Sequence, residues 1–271
     1  MHMHEHHIPE SYSRKIRIRR FLVTIYRDNI LFLASALSFD ALLAAMPLAL
    51  LVLAVMGAAD LRSVMEVVMP AGAGDPQAPL SNAERIINSV VASRRELSLY
   101  GVPLFLLFST RLFSSARIAL DKIRGVKTPR RFFHDLAYDI VLVVLTTALF
   151  VANSYVSIPA IGFARLDRLV ALMMATGFAT VLFFVVYYLA PTDKLKWHVA
   201  LLVAFIISVV FEISKFLFGI YLVHFATLNR VISHANAIAV LLFVFWIYLT
   251  ALLFLLGGEI AKAVEEHGQG I

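Results

Sequence analysis

Residues 235–258 read ANAIAVLLFVFWIYLTALLFLLGG, and none of these side chains is charged. An α-helix needs about 20 mostly apolar residues to cross the hydrocarbon core of a bilayer. Residues 169–190 and residues 140–164 form two more uncharged runs of this length. The whole chain is 61% hydrophobic and 15% charged, whereas charged residues make up about 25% of an average soluble domain. The sequence therefore predicts an all-α, polytopic membrane protein.

Three further apolar segments carry isolated charges and raise the expected number of spans to six. Residues 30–59 contain Asp40 as their only charged side chain. Residues 97–118 form a full span only if the helix continues through Arg111, with its arginines buried or snorkelling; otherwise this segment is re-entrant. The predicted six-helix bundle occupies residues 30–259, with spans at about 30–59, 97–118, 140–164, 169–190, 198–223 and 235–258.

Positive charge is distributed unevenly around these spans. Of the 24 Lys and Arg residues, sixteen fall on one side of the predicted topology and seven on the other. Cytoplasmic loops near span ends collect Lys and Arg, so both termini are expected in the cytoplasm, including the tail at 260–271. Residues 1–29 are expected to form a basic tail, of which 11–29 is an amphipathic helix lying on the inner leaflet. The basic residues would attract anionic headgroups, and nucleic acid is not an expected partner.

Glu212 and Lys215 are two opposite charges in the otherwise apolar segment 198–223. Their i, i+3 spacing puts them on one face of a helix. Charges within a span are costly, and they are tolerated where they face protein, each other or water. The pair is therefore either a salt bridge that fixes helix packing or part of a polar interior path for a solute. A shifted helix would instead bring both groups to an interface.

Asp40 lies about two turns before Pro47 in the first predicted span. At neutral pH its carboxylate needs a cationic or aqueous partner, and Lys215 and Arg111 are the cations considered. The alternative is that Asp40 is hydrated near the inner headgroups. Pro47 removes a backbone hydrogen bond and is expected to kink the helix, with neighbouring helices or water satisfying the freed carbonyl.

Other polar or small residues within the predicted spans are expected to act mainly in packing. Asn153 and Asn236 lie in apolar segments, where an amide more often joins helices than binds a substrate, and both are kept as candidates for the interior polar path. Gly257 and Gly258 allow helices to approach closely. Glu259, which follows them, is expected at the interface.

No catalytic, metal or cofactor site is expected from the sequence. The chain has no Cys, which excludes disulfides, thiolate ligands and Cys nucleophiles. Phosphodiester hydrolysis usually requires clustered carboxylates or histidines that hold metal ions. The nearest such set, His134, Asp135 and Asp139, falls at a helix start, where Asp is common. The histidines within residues 1–7 could bind metal, but no fold positions them, so a mobile tail is preferred. We therefore expect no enzyme and no cofactor.

Several short motifs occur in the order found in a known family. They are Ala36-Leu37-Ser38-Phe39 with Leu42-Leu43 and Pro47, Arg111-Leu112-Phe113 followed by Ala119-Leu120 and Ile123, Pro191, Glu212 with Lys215, Phe218 and Tyr221, and Trp246-Ile247-Tyr248 leading to Gly257-Gly258-Glu259. On this set, the chain resembles the YihY/BrkB family of bacterial inner-membrane proteins, once labelled ribonuclease BN, from about Arg19 to Glu259. It departs from that family at Asp40, where an aromatic is frequent, and at 234–236, where a Tyr-Gly pair is common. The resemblance implies six transmembrane helices and an inner-membrane location, and it adds Tyr221 to the interior polar candidates.

Two classes of function remain for such a bundle. The first is transport of a lipid or a small amphiphilic or anionic solute through a charged interior site. That site contains Glu212 and Lys215, with Asp40, Arg111 and Tyr221 as further candidates. The second is a non-transporting factor that assembles or scaffolds envelope proteins, in which the charged pair is architectural. A nuclease is disfavoured for want of a metal-binding cluster in the sequence. Membrane lipids are the expected partners, and a homo-oligomer is compatible with the sequence.

Overall fold

The protein is all-helical wherever the computed structural model describes it. The description covers residues 28–55, 89, 92–126, 132–160, 167–228 and 235–268. No strand occurs among these residues, so the all-α prediction is confirmed for them. The helices are α1 (Ile30–Val55), α2 (Arg94–Arg124), α3 (Phe132–Ala160), α4 (Asp167–Leu189), α5 (Trp197–Leu228) and α6 (Ala235–Gly268).

Five of the six helices are long and apolar enough to cross a membrane. α3 is not among the five, so a sixth span stays a prediction. α2 continues through Arg111 to Arg124 as one helix, which is the condition for a full span there. The five apolar segments are Ile30–Ala49, Leu99–Arg124, Leu172–Leu189, Trp197–Tyr221 and Val240–Glu266.

The predicted basic tail and amphipathic helix, at 1–29, lie outside the described residues except for Asp28 and Asn29. The described chain divides into two compact units. The smaller unit is Phe39–Leu112, which holds most of α1 and most of α2. The larger unit contains the start of α1, the end of α2 and all of α3 to α6. In the larger unit, α5 packs against both α4 and α6, and α3 packs against α4.

Two adjacent glycines bring α6 close to its neighbours in the larger unit. A Cβ atom on Gly257 would lie 2.7 Å from Ile207 Cγ1 of α5, and one on Gly258 would lie 2.7 Å from Leu120 Cδ2 of α2. Real Cβ atoms do not approach other atoms this closely, so larger residues would force the neighbouring side chains or the helices to move. Glu259 follows these glycines and is buried within the protein by this close packing, and its expected position at the membrane interface stays a prediction.

The outward faces of α5 and α6 are strongly apolar. Exposed large side chains include Phe205 and Phe216 on α5 and Leu241 and Phe245 on α6. A soluble monomer rarely exposes a continuous apolar surface of this kind. These faces are suited to contact with lipid acyl chains, in agreement with a multi-pass membrane protein.

Candidate functional site

Glu212 and Lys215 form a direct ion pair on α5. The Lys215 Nζ atom lies 2.6 Å from Glu212 Oε1. The two side chains differ in exposure, because that of Glu212 is 11% exposed and that of Lys215 is 42% exposed. The carboxylate therefore points into the larger unit, whereas the ammonium group stays accessible from outside the described chain.

Aromatic side chains next to this ion pair on α5 contact both neighbouring helices. The Lys215 Nζ atom lies 5.3 Å from the centroid of the Phe211 ring, a distance typical of a cation–π contact. The Phe211 ring contacts Phe183 of α4 and Trp246 of α6, each at a centroid distance of 5.8 Å. Trp246 also stacks on Phe218, at 4.7 Å. The rings hold the three helices together at the level of the charged pair.

Tyr221 lies one turn beyond Phe218 on α5. Its ring lies 6.4 Å from that of Phe218, and its side chain is exposed. Tyr221 therefore extends the aromatic contacts of Phe218 along α5.

The Glu212–Lys215 pair does not join two helices. Both partners belong to α5, and Phe211, which Lys215 also contacts, is on α5 as well. A salt bridge that fixes helix packing would instead connect residues from different helices. The aromatic contacts supply that connection here, so the ammonium group is not required for it.

A second ion pair lies in the smaller unit, between α1 and α2. The Arg111 Nε atom donates a hydrogen bond of 2.8 Å to Asp40 Oδ1. Of the two cations considered from the sequence, Arg111 makes this contact. The Asp40 side chain is 6% exposed and that of Arg111 is 66% exposed. Arg111 lies within the apolar segment Leu99–Arg124, about two turns before residue 118, where the predicted span ends.

The two ion pairs share one property, which is that each buries its carboxylate and exposes its cation. The exposed member carries positive charge in both cases, within a helix long enough to span a membrane. Sequence reasoning located all four residues, but it did not indicate which member of each pair would be accessible.

The other predicted candidates are less informative. Asn153 lies in α3 and Asn236 in the first turn of α6, but their side chains lie outside the described part of the structure. Pro47 is buried inside α1, which is assigned as one helix through it. The expected kink at this proline stays a prediction.

A cluster of interhelical ion pairs, which the sequence did not predict, occurs at one end of the larger unit. Arg117 of α2 is buried, and its guanidinium contacts the carboxylates of Asp135, at 3.1 Å, and Asp139, both on α3. The arginines of this segment were expected to be either buried or snorkelling. Arg117 is buried, because α3 places two carboxylates beside it. Both aspartates were interpreted as helix-start residues, and this contact gives them a partner on another helix.

Arg124, the last residue of α2, makes a second set of contacts at this end. Its Nη2 atom lies 3.0 Å from Glu265 Oε2 of α6, and it also contacts Asp193 in the α4–α5 connection. Gly125 has a φ of 70° and ends the helix. The amide of Val126 donates to the carbonyl of Asp121 at 2.9 Å, as in a Schellman motif. This turn ends α2 at Arg124, whose side chain contacts Asp193 and Glu265.

Two further contacts complete this cluster. The Lys262 Nζ atom of α6 lies 3.1 Å from Asp28 Oδ2, just before α1. The Thr192 hydroxyl donates a 2.6 Å hydrogen bond to Asp121 Oδ2 of α2. We refer to these residues together as the charged end of the larger unit. Its members are Asp28, Arg117, Asp121, Arg124, Asp135, Asp139, Thr192, Asp193, Lys262 and Glu265.

The charged end brings together one end of every helix in the larger unit. It contains the start of α1, the end of α2, the start of α3, the α4–α5 connection and the end of α6. This arrangement requires consecutive helices to alternate in direction. Within the described residues, no group of three or more His, Cys, Asp or Glu side chains is arranged to hold a metal ion.

Comparison with known proteins identifies relatives but no known structure. A family model described as Virulence factor BrkB matches residues 21–270. A UPF0761 membrane protein of Prosthecochloris aestuarii is 27% identical, over 93% of this chain and 62% of its own length. The UPF0761 membrane protein of Photobacterium profundum is 27% identical, over 90% of this chain and 79% of its own length. That of Pseudoalteromonas atlantica is 24% identical, over 92% of this chain and 86% of its own length. The chain thus spans about three fifths of the first relative. No solved structure matches at a significant level.

Proposed function

The chain belongs to the virulence factor BrkB family, and from this premise we propose that it transports a lipid or another small amphiphilic or anionic solute across or within the membrane. The observation that carries the proposal is the shared property of the two ion pairs. In each of them, a cation within a membrane-spanning helix is accessible, while its carboxylate partner is buried.

An accessible cation within a span requires a polar partner besides its buried carboxylate. For Lys215, exposure to hydrocarbon would cost up to about 2.5–3.5 kcal/mol, the value for a lysine at the centre of a spanning helix. Water or an anionic group removes this cost. Phosphate and carboxylate groups bind well to Lys and Arg through charge-assisted hydrogen bonds. The proposed solute therefore carries an anionic group that contacts Lys215 or Arg111.

The surface around Lys215 is suited to an amphiphile. The Phe211 ring lies 5.3 Å from the Lys215 Nζ atom, and Phe218 lies one turn beyond Lys215 on the same face of α5. A headgroup held at the ammonium would leave its acyl chains against these apolar side chains. This combination favours a lipid over a small hydrophilic solute.

The proposed location is the bacterial inner membrane, with both termini in the cytoplasm. The charged end would then face the cytoplasm, because it contains Arg124 and Lys262 together with the helix ends nearest the basic loops. α3 would be the sixth span, since alternation of helix direction requires it to return across the bilayer. The proposal holds equally for a monomer and for a homo-oligomer.

We also propose that the chain is not a nuclease. Asp135 and Asp139, which are the nearest approach to a metal-binding set in the sequence, both contact Arg117. A guanidinium in this position competes with a metal ion for the same carboxylate oxygens. The old ribonuclease label would require another set of ligands.

Lipid movement in proteoliposomes tests the transport proposal. Purified protein would be placed in phosphatidylcholine vesicles that contain a trace of fluorescent phosphatidylglycerol, or of fluorescent phosphatidylcholine as the zwitterionic comparison. We expect faster movement of the anionic probe. The paired replacement Glu212→Leu with Lys215→Met should slow it at least tenfold, and Asp40→Leu with Arg111→Met should also slow it. Lys122→Met, at an exposed lysine outside both pairs, is the matched control.

The paired replacements distinguish transport from scaffolding. Each replacement removes both charges, so that no carboxylate is left buried without a cation. Folded paired variants that move lipid at the wild-type rate would refute the charged path. Wild-type protein that accelerates neither probe would favour the scaffolding alternative.

A further inference from the structure

Lys194 lies in the connection between α4 and α5 and has no part in the proposed transport path. Its Nζ atom lies 5.9 Å from the centroid of the Tyr138 ring of α3 and 5.9 Å from that of the Tyr188 ring of α4, distances typical of cation–π contacts. The residue is exposed, and its ammonium group forms no ion pair with any described residue. This cation is therefore held at two helices and is open to an anion from outside.

The backbone is fixed on both sides of Lys194. The Thr192 amide and hydroxyl donate to the Asp121 carboxylate of α2, at 3.0 Å and 2.6 Å. The Lys196 amide donates to Glu265 Oε1 of α6 at 3.4 Å. Because these contacts restrain the connection before a ligand arrives, less conformational freedom is lost when Lys194 binds one.

The acidic residue next to Lys194 in the chain contacts another cation. The Asp193 carboxylate lies 3.5 Å from the Arg124 Nη2 atom of α2. Two segments that lead into this end of the larger unit lie outside the described residues, and both are basic on balance. Residues 127–131 contain three basic side chains and no acidic one, and residues 1–27 contain six basic and two acidic side chains. The charge of these segments favours an anionic ligand.

The connection that contains Lys194 lies where two apolar segments leave the hydrocarbon. Leu172–Leu189 ends shortly before this lysine, and Trp197–Tyr221 begins shortly after it. Trp197 is exposed, and tryptophan is enriched at the interface between membrane and water. The Lys194 ammonium group therefore lies at the depth of lipid headgroups.

Apolar side chains continue from the two tyrosines away from the charged end. On α4, Phe184 stacks on Tyr188 at 5.5 Å, and Val181, one turn further along the same face, is exposed. On α3, Val141 lies one turn beyond the other tyrosine and is also exposed. A lipid whose headgroup contacts Lys194 would have its acyl chains against these side chains.

We propose that Lys194 binds the phosphate of an anionic phospholipid, whose acyl chains lie along the exposed sides of α3 and α4. A phosphate accepts charge-assisted hydrogen bonds from an ammonium group. A choline headgroup is less suited, because its own cation would repel Lys194 and because the two tyrosine rings that could bind it already contact the lysine. The site contains neither Lys215 nor Arg111, so this bound lipid does not depend on the transport proposal.

Quenching of Trp197 fluorescence by brominated lipids tests this inference. A lipid bound at Lys194 brings its bromine atoms close to the exposed indole of Trp197. The chain has two tryptophans, so Trp246→Phe protein leaves Trp197 as the single reporter. This protein would be reconstituted in phosphatidylcholine that contains a small fraction of brominated phosphatidylglycerol or, for comparison, the same fraction of brominated phosphatidylcholine. We expect the anionic lipid to quench Trp197 more strongly, and titration gives the ratio of the two apparent association constants.

Substitutions in this background show whether the preference depends on Lys194 and on the rings beside it. Lys194→Gln should lower the ratio about fivefold, the effect of one basic residue near an anionic membrane surface. Tyr188→Leu should lower it about two- to fivefold by removing one cation–π contact, whereas Tyr188→Phe keeps the ring and should retain the preference. Lys122→Gln, at an exposed lysine of α2 between Asp121 and Arg124, is the control for general positive charge and should stay close to the starting ratio.

Three results would overturn the proposal. The first is equal quenching by the two lipids before any further substitution. The second is an equal loss in Lys122→Gln and Lys194→Gln, which would show diffuse attraction in place of a site; both lysines are exposed, so both variants should fold. The third is loss of the preference on addition of glycerol 3-phosphate, which carries the phosphate without acyl chains and would identify a site for soluble phosphate esters. Quenching is measured at equilibrium, so a protein that moves no lipid would still show the preference.

Discussion

Replacement of Arg117 by Met should destabilise the protein strongly. Arg117 and Asp139 are both buried, with side chains 8% and 4% exposed, while the Asp135 side chain is 32% exposed and can be rehydrated. Removal of one partner from a buried ion pair costs about 3–5 kcal/mol, because the remaining charge is left without compensation. Protonation of Asp139 limits this cost, so we expect the lower value, about 3 kcal/mol. That corresponds to a change of about 150-fold in the unfolding equilibrium constant.

Unfolding in mixed detergent micelles measures this effect. The chain contains two tryptophans, and Trp246 lies in the aromatic contacts between α5 and α6, so its fluorescence reports the loss of helix packing. Lys122→Met, on the same helix but exposed, should change the unfolding free energy by no more than about 0.5 kcal/mol. The paired variant Arg117→Met with Asp139→Leu should recover most of the loss, because no unpaired charge stays buried at that position.

The reasoning would be refuted by an Arg117→Met variant within about 1 kcal/mol of wild type, the range typical of an exposed salt bridge. It would also be refuted if the paired variant were as unstable as the single one. Either result would show that Arg117 and Asp139 do not interact as a buried pair in the bilayer.

Two other predictions concern the packing and the topology. Gly258→Leu should destabilise the protein by about 1–3 kcal/mol in the same unfolding assay, because the new side chain clashes with Leu120. Gly177→Leu is the control and should have little effect, since nothing lies within 4 Å of a Cβ atom added there. Equal losses of stability in the two variants would refute the close approach of α6 to α2. Because the chain has no Cys, single cysteines introduced at Ala92 and Lys122 can be labelled selectively in intact membranes. The two cysteines should react with reagents added on opposite sides, since α2 is about 45 Å long. Labelling of both from one side would refute a full span.

The helices were largely predictable because their hydropathy is a local property. The predicted spans 169–190 and 198–223 correspond closely to α4 and α5. The last span was predicted to end at residue 258, whereas α6 continues to Gly268. Hydropathy detects where a helix leaves hydrocarbon, but the backbone hydrogen bonds that define the helix continue into the aqueous region.

The contacts of the charged residues were harder to predict because they depend on which helices lie side by side. The spacing of Glu212 and Lys215 indicated their pairing, since both are on one helix. Asp40 had two possible cations, and only the packing of α1 on α2 selects Arg111. The Arg117–Asp139 contact joins two helices across a loop, and no sequence periodicity indicates it. The only available signal was the occurrence of opposite charges at the adjoining ends of successive predicted helices.

The position of the charged end has a mechanical consequence for the larger unit. Among its described residues, every ion pair that joins two helices lies at that end. Spreading the helices at this end would break several of these ionic contacts at once. Any opening of the larger unit here therefore has to supply water or another partner to each of these charges.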